Sequence, residues 1–206
     1  MKNVERILVV GPSWVGDMMM AQTLFILLKR NNPDCSIDVL APDWSLPILA
    51  HMPEISDSIA SPFKHGEASL HQRYLLGKSL RDRHYDQAII LPNSLKSALV
   101  PYWARIPRRT GFVGELRYGL INDARILDHQ ALPKTVMRFA ALGIPANQSL
   151  DKNLPFPHLE TNEQSRSTTF NALSIEPATD LVLVLCPGAE FGPAKQWPAK
   201  HFAELA

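Results

Sequence analysis

A carboxylate and a lysine stand at two strand-to-helix junctions of this chain. The first junction is Gly11-Pro12-Ser13-Trp14-Val15-Gly16-Asp17. The second runs from Cys186-Pro187-Gly188-Ala189-Glu190 through Lys195 to Trp197-Pro198. In open α/β sheets, ligands settle outside the carboxyl ends of the strands, where such junctions lie. An ionised Asp17 beside an acceptor hydroxyl can take its proton as that oxygen attacks. Lys195 can set a positive point charge on a phosphate, with helix N–H groups sharing the anion. That charge would favour departure of a diphosphate leaving group. Each residue also has a plainer reading. Asp17 can be a helix-capping or first-turn residue, and Lys195 a solvated surface lysine. The first loop matches neither Gly-x-Gly-x-x-Gly nor Gly-x-x-x-x-Gly-Lys-Ser, so it is weak support for a dinucleotide or Walker-type site.

Further residues sort around these two. Ser13 reads as the cap of the first helix, and Gly11 and Gly16 let the backbone turn and approach a ligand. Asn93, Ser94 and Lys96 follow a strand ending at Leu91, so they either line the same crevice or cap a helix. Arg108 and Arg109 with Lys64, His65, Arg117 and Arg125 read as a basic acceptor surface or as ordinary solvated charges. Glu190 is either a contact to a ligand hydroxyl or a loop residue. The histidines show no close ligand spacing, which gives a zinc site little support. No carboxylate pair points to glycoside hydrolysis.

The elements that must position these groups are legible from apolar patterning. Runs at 6–10, 36–41, 85–91 and 181–186 read as strands, with 56–60 a weaker one, and the nearly continuous apolarity of 6–10 fits a sheet covered on both faces. Helical spacing is seen over 18–30, 70–83, 94–104, 133–142, 161–173 and 198–206, with a short helix after Asp43. Arg108–Phe112 is a turn beside a short strand, and 115–123 is ambiguous. Prolines at 145, 155 and 157 mark a linker. The division expected is an α/β domain over 1–145, a linker and connecting helix over 146–180, and the first strand and partial helix of a second domain over 181–206.

Composition narrows the function classes. With 206 residues, 46% of them hydrophobic and 20% charged, the chain is an ordinary globular one. A formal charge of +1 argues against nucleic-acid binding driven by bulk charge. Cys35 and Cys186 form no metal pattern and read as small buried hydrophobes beside strands, in a reducing compartment. No signal-peptide core is present, and no apolar stretch nears the roughly 20 residues of a membrane helix.

Taken together, Gly11–Met20, Leu91-Pro92-Asn93-Ser94-Leu95-Lys96-Ser97, Arg109-Thr110-Gly111-Phe112 and Pro187–Lys195 with Trp197-Pro198 closely resemble the bacterial heptosyltransferase family. The resemblance covers nearly the whole chain. It implies a two-lobed GT-B glycosyltransferase whose first lobe is a Rossmann-like parallel sheet. It implies inverting, metal-independent transfer of L-glycero-D-manno-heptose from ADP-heptose to the first heptose of the lipopolysaccharide inner core, without a cofactor. Asp17 matches the family's general base and Lys195 its lysine beside the donor phosphates. Arg109 and Thr110, with Asn93, Ser94 and Lys96, match regions that shape the acceptor crevice, near Ser13, Trp14 and Gly16. The partners implied are ADP-heptose and heptosyl-Kdo2-lipid A, in the cytoplasm, with peripheral contact at the inner membrane. Family members continue into a full second lobe with an Asp-Ser-Gly or Asp-Thr-Gly loop, which nothing here matches. The chain is therefore expected to stop inside that lobe and to have little activity alone. The rival reading is a nucleotide-binding α/β protein without glycosyl transfer. A third is an interaction domain without chemistry.

Overall fold

A computed structural model of the chain describes residues 4–63, 68–151, 153–176, 183–189 and 193–206. The chain folds as two units, Met1–Glu160 and Thr161–Ala206. The first unit opens with β1 (Arg6–Val10), α1 (Val15–Asn31), β2 (Ser36–Pro42), α2 (Leu46–Leu49), β3 (Asp57–Ser61) and α3 (Leu70–Ser79). It continues with β4 (Gln87–Ile90), α4 (Leu99–Trp103), β5 (Arg108–Phe112), β6 (Asp123–Arg125) and α5 (Thr135–Ala141). The strands form one sheet in the order β3-β2-β1-β4-β5-β6, every pair parallel. Strand order therefore reverses between β1 and β4, and a crevice at that switch point follows from the topology.

Residues of alternate parity in the strands feed two cores. Ile7, Val9, Ile37 and Val39 pack with Met18, Leu24, Phe25 and Leu28 of α1 and Phe139 of α5. Leu8, Val10, Leu40, Ala88 and Ile90 pack on the other face with Leu80, Val100, Ala104 and Ile106. Each Val, Leu, Ile, Met or Phe side chain among them contributes about 1.5–3 kcal/mol on full burial. This is the Rossmann-like α/β architecture expected from the sequence.

The approach of α3 to α4 depends on one missing side chain. A Cβ at Gly77 would lie 2.7 Å from the Trp103 Cβ and 2.9 Å from the Val100 carbonyl oxygen. Backbone cannot yield there without moving a helix. Gly77→Ala is expected to cost about 1–3 kcal/mol through overpacking, read as a lower urea midpoint with an unchanged slope.

At the amino end of the sheet, a partly buried network joins β2 and β3 to the segment just before β4. The Tyr85 hydroxyl donates to Asp38 at 2.5 Å, and Arg83 donates to Asp38 at 3.1 Å and to Asp57 at 2.5 Å. Burial, reinforced by the bond to Asp38, raises the pKa of the Tyr85 phenol and keeps it a donor.

Two expectations about organisation are corrected. The proline-rich run is not a free linker up to residue 160. Its distal part is strapped onto the first unit: Gln22 Nε2 donates to the His158 carbonyl and Gln22 Oε1 accepts from the His158 N–H, at 2.5 and 2.9 Å. Thr23 donates to the Pro155 carbonyl, and the Glu160 N–H donates to the His51 carbonyl. Gln22 and Thr23 are fully buried polar residues of α1, and the strap satisfies them. The strand expected over 181–186 is also not formed in its described part, 183–186. A strand needs a hydrogen-bonded neighbour, and among the described residues none pairs with it. Cys186 is accordingly exposed, whereas Cys35 is buried and its thiol pKa is raised by that burial.

The second unit contains α6 (Glu163–Ala172) and α7 (Ala199–Leu205). The Asn162 side chain caps α6 by accepting the Ser165 N–H at 2.6 Å. Before α7, the Trp197 ring stacks on His201 at 5.2 Å and meets Phe202 edge-on at 4.9 Å.

Candidate functional site

A crevice of about 320 Å³ opens at the carboxyl ends of β1, β2, β3 and β4. Gly11 and Ser13 rim it from β1, Trp44 from β2, Phe63 from β3, and the segment Pro92–Ser97 from β4. Among the described residues, its charged lining is Arg73 and Lys96. Arg73 is buried, lies 3.9 Å over the Phe63 ring and donates to the carbonyls of Ala68 and Lys96. That burial lowers its pKa from the ordinary arginine value.

Asp17 sits in the first turn of α1, which follows Ser13 of the rim; neither it nor Trp14 or Gly16, also expected there, lines the crevice itself. The helix begins at Trp14, whose side chain makes no capping bond. Ser13 does not cap either. Its carbonyl instead accepts the Trp44 indole N–H at 2.8 Å, which ties the β2 loop to the β1 loop. Asp17 is half-buried and has no hydrogen-bond or ion-pair partner among the described residues. A carboxylate there interacts with the helix dipole by about 0.3–1 kcal/mol. The space over Gly16 is open, with nothing within 4 Å of a Cβ built there. Internal packing therefore does not require a glycine at this position, and a ligand can approach the backbone.

The β4 wall is held by a residue that sequence reasoning put elsewhere. Arg117 was expected on a basic surface, but it is fully buried at 1% exposure. Its Nη1 donates to the Pro92 carbonyl at 2.7 Å and to Ser97 Oγ at 3.2 Å. Its Nη2 donates to Asn93 Oδ1 at 3.3 Å and to the Phe112 carbonyl at 2.5 Å. Gly111 leaves the room it needs: a Cβ there would stand 3.2 Å from Nη2. Burial lowers the pKa of this guanidinium, opposed by the charge of Glu115. Glu115 in turn accepts the Leu95 N–H at 2.8 Å, at the start of the turn that Ser94 leaves uncapped. Both contacts depend on left-handed backbone at Glu115 and Leu116, with φ of 42° and 53°. Nothing in the residue pattern signals that conformation. The crevice residues Trp44 and Arg73 also carried no sequence signal.

The remaining expected residues are dispersed. Asn93, Ser94 and Lys96 are at the crevice, as expected. Thr110 is not: it is fully buried, accepts from Gln87 and donates to Asp123. Arg109 lies at the start of β5, at the opposite end of the sheet, donating to the carbonyls of Ile106 and Leu120. Arg108 pairs with Glu5, and Arg125 with Asp123, whose carboxyl pKa is lowered chiefly by that Arg125 hydrogen bond. No single basic acceptor surface unites Arg108, Arg109, Arg117 and Arg125. Residues at alternate strand ends cannot converge, and a buried arginine with carbonyl partners presents no charge outward. Lys64, His65 and Glu190 lie outside the described residues. Lys195 ends a single turn, Pro193–Lys195, and is exposed in the second unit.

The six-stranded parallel sheet, with a crevice at its switch point, has the architecture of the N-terminal lobe of GT-B glycosyltransferases. The sequence profile of glycosyltransferase family 9 (heptosyltransferase) matches residues 73–206, and the chain belongs to that family. It is 49% identical over 206 residues to lipopolysaccharide heptosyltransferase 2 of Escherichia coli, covering 98% of this chain and 59% of that protein. It is 46% identical to lipooligosaccharide heptosyltransferase 2 of Haemophilus ducreyi, with the same coverages. The chain thus spans less than two thirds of the relatives it matches. Among solved structures, E. coli ADP-heptose lps heptosyltransferase II superposes with a TM-score of 0.86 at 47% identity, over 97% of this chain and 60% of that one. A family 9 glycosyl transferase from Veillonella parvula shares the fold at a TM-score of 0.78 and 18% identity, over 100% of this chain and 59% of that one.

Proposed function

We propose that the intact protein transfers L-glycero-D-manno-heptose from ADP-heptose to the first heptose of the lipopolysaccharide inner core, inverting the anomeric carbon. The observation that carries this reading is the Asp17 carboxylate, unpartnered among the described residues, in the first turn of the helix that follows the crevice-lining loop of β1. In the proposed step, the acceptor hydroxyl oxygen forms a bond to the anomeric carbon and its proton passes to Asp17. The bond from that carbon to the diphosphate oxygen breaks, and ADP leaves. Lys195 offsets the charge that grows on the leaving oxygen. Arg73 and Lys96 favour an anionic acceptor such as heptosyl-Kdo2-lipid A, reached by peripheral contact with the cytoplasmic face of the inner membrane. The 49% identity to lipopolysaccharide heptosyltransferase 2 supports the choice of donor and acceptor.

The test is calorimetry of the intact protein against ADP-heptose, ADP and NAD, with ADP release followed in the presence of a heptose-bearing acceptor. Binding of ADP-heptose and acceptor-dependent release are expected. Selective binding of NAD would overturn the reading in favour of a nucleotide-binding protein without glycosyl transfer.

A further inference from the structure

Far from the crevice, beside the amino end of β5, is a second depression of about 380 Å³. Arg81, Arg105 and Arg109 line it together with Tyr102, Trp103 and Ile106. No carboxylate lines it, and among the described residues none pairs with any of these three arginines. The arginines at 6, 83, 108, 125 and 166 all have such partners. Three like charges gathered without a counter-ion repel one another, and an anion relieves that repulsion.

The donors are poised rather than consumed. Arg81 spends only Nε, on the Trp103 carbonyl at 2.9 Å. Its two terminal amino groups and the whole Arg105 guanidinium make no hydrogen bond to the described residues. Arg109 is locked by the carbonyls of Ile106 and Leu120 and lies 5.7 Å over the Tyr102 ring. It supplies fixed charge, while the other two supply free N–H forks.

The backbone gives an independent sign. α4 ends in a Schellman turn: the Ile106 N–H donates to the Pro101 carbonyl and the Arg105 N–H to the Tyr102 carbonyl. Arg105 occupies the left-handed position of that turn, φ 59°, where glycine is favoured. The fold would be served as well or better by glycine, yet the position carries a guanidinium aimed at no internal partner.

We propose that this depression binds a phosphate group, held by the forks of Arg81 and Arg105 against the fixed charge of Arg109. A phosphate has enough acceptor oxygens to engage two guanidinium groups at once, which is the geometry arginine recognises. The site is separate from the heptosyl-transfer reading and stands or falls without it.

The intact protein is tested with two probes: inorganic phosphate, followed by phosphorus NMR, and vesicles of phosphatidylcholine with phosphatidylglycerol, followed by cosedimentation against pure phosphatidylcholine. Arg105→Gly is expected to weaken binding about 10- to 100-fold, the loss of charged hydrogen bonds, while its thermal midpoint stays level or rises. Arg81→Gln gives the same loss while leaving the left-handed residue of the turn unchanged, and covers the case in which Arg105→Gly folds poorly. Response to inorganic phosphate identifies a free phosphate as ligand, and response to the anionic vesicles alone identifies a lipid headgroup. Both outcomes uphold the site. Binding to neither probe, or binding that both variants leave unchanged, overturns it.

Discussion

Asp17→Asn in the intact protein is expected to lower heptosyl transfer by about 100- to 10,000-fold, the range a positioned general base contributes. The substitution keeps the size and planarity of the side chain but removes its capacity to accept a proton. It breaks no contact among the described residues, because the carboxylate has no partner there. The folding cost is therefore confined to the dipole interaction, about 0.3–1 kcal/mol. The loss should fall on kcat, with the KM for the acceptor nearly constant, since the carboxylate acts on the proton in flight rather than on the resting complex. A kcat within a few-fold of the parent, in a folded protein, would reduce Asp17 to a first-turn residue.

Arg117→Met is expected to destabilise the first unit by about 3 kcal/mol, with the Phe112 and Pro92 carbonyls losing their donor at roughly 1–3 kcal/mol each. Methionine can fill the aliphatic part of the space but donates nothing. Lysine should rescue only partly, because one ammonium cannot span carbonyls that two arms of a planar fork now serve. The effect has a local signature. Without Arg117, the Pro92–Ser97 wall loses its tie to β5, and amide exchange at Leu95 and Ser97 should rise more than in the core strands. A urea midpoint and slope equal to the parent's would contradict the assignment.

The course of the first unit was largely readable from residues 6–10, 36–41 and 85–91, because doubly covered parallel strands are apolar along most of their length. Crevice membership of Asn93, Ser94 and Lys96 was readable for the same reason, as they follow a strand's carboxyl end. Arg109 and Thr110 misled because a short parallel strand places neighbouring residues at different depths and ends of the sheet. Arg117 was illegible because its burial hinges on left-handed backbone at Glu115 and Leu116, two residue types that do not advertise it. Ser13 followed the capping rule in type but not in fact, since Trp14 occupies the cap position. At 181–186 the apolar run was read as a strand, but no ladder partner appears among the described residues. Asp17 falls in the first turn of α1, where the sequence puts it, and its chemistry rests on the experiment above.

The glutamine of α1 that grips His158 has a practical corollary for dissecting the molecule. A cut at Pro145 would strip Gln22 and Thr23 of their backbone partners, leaving the Gln22 amide only its bond to Glu54 and the buried Thr23 hydroxyl none among the described residues. The natural seam for producing the first unit by itself therefore falls after Glu160, where the last mainchain bond to His51 is made.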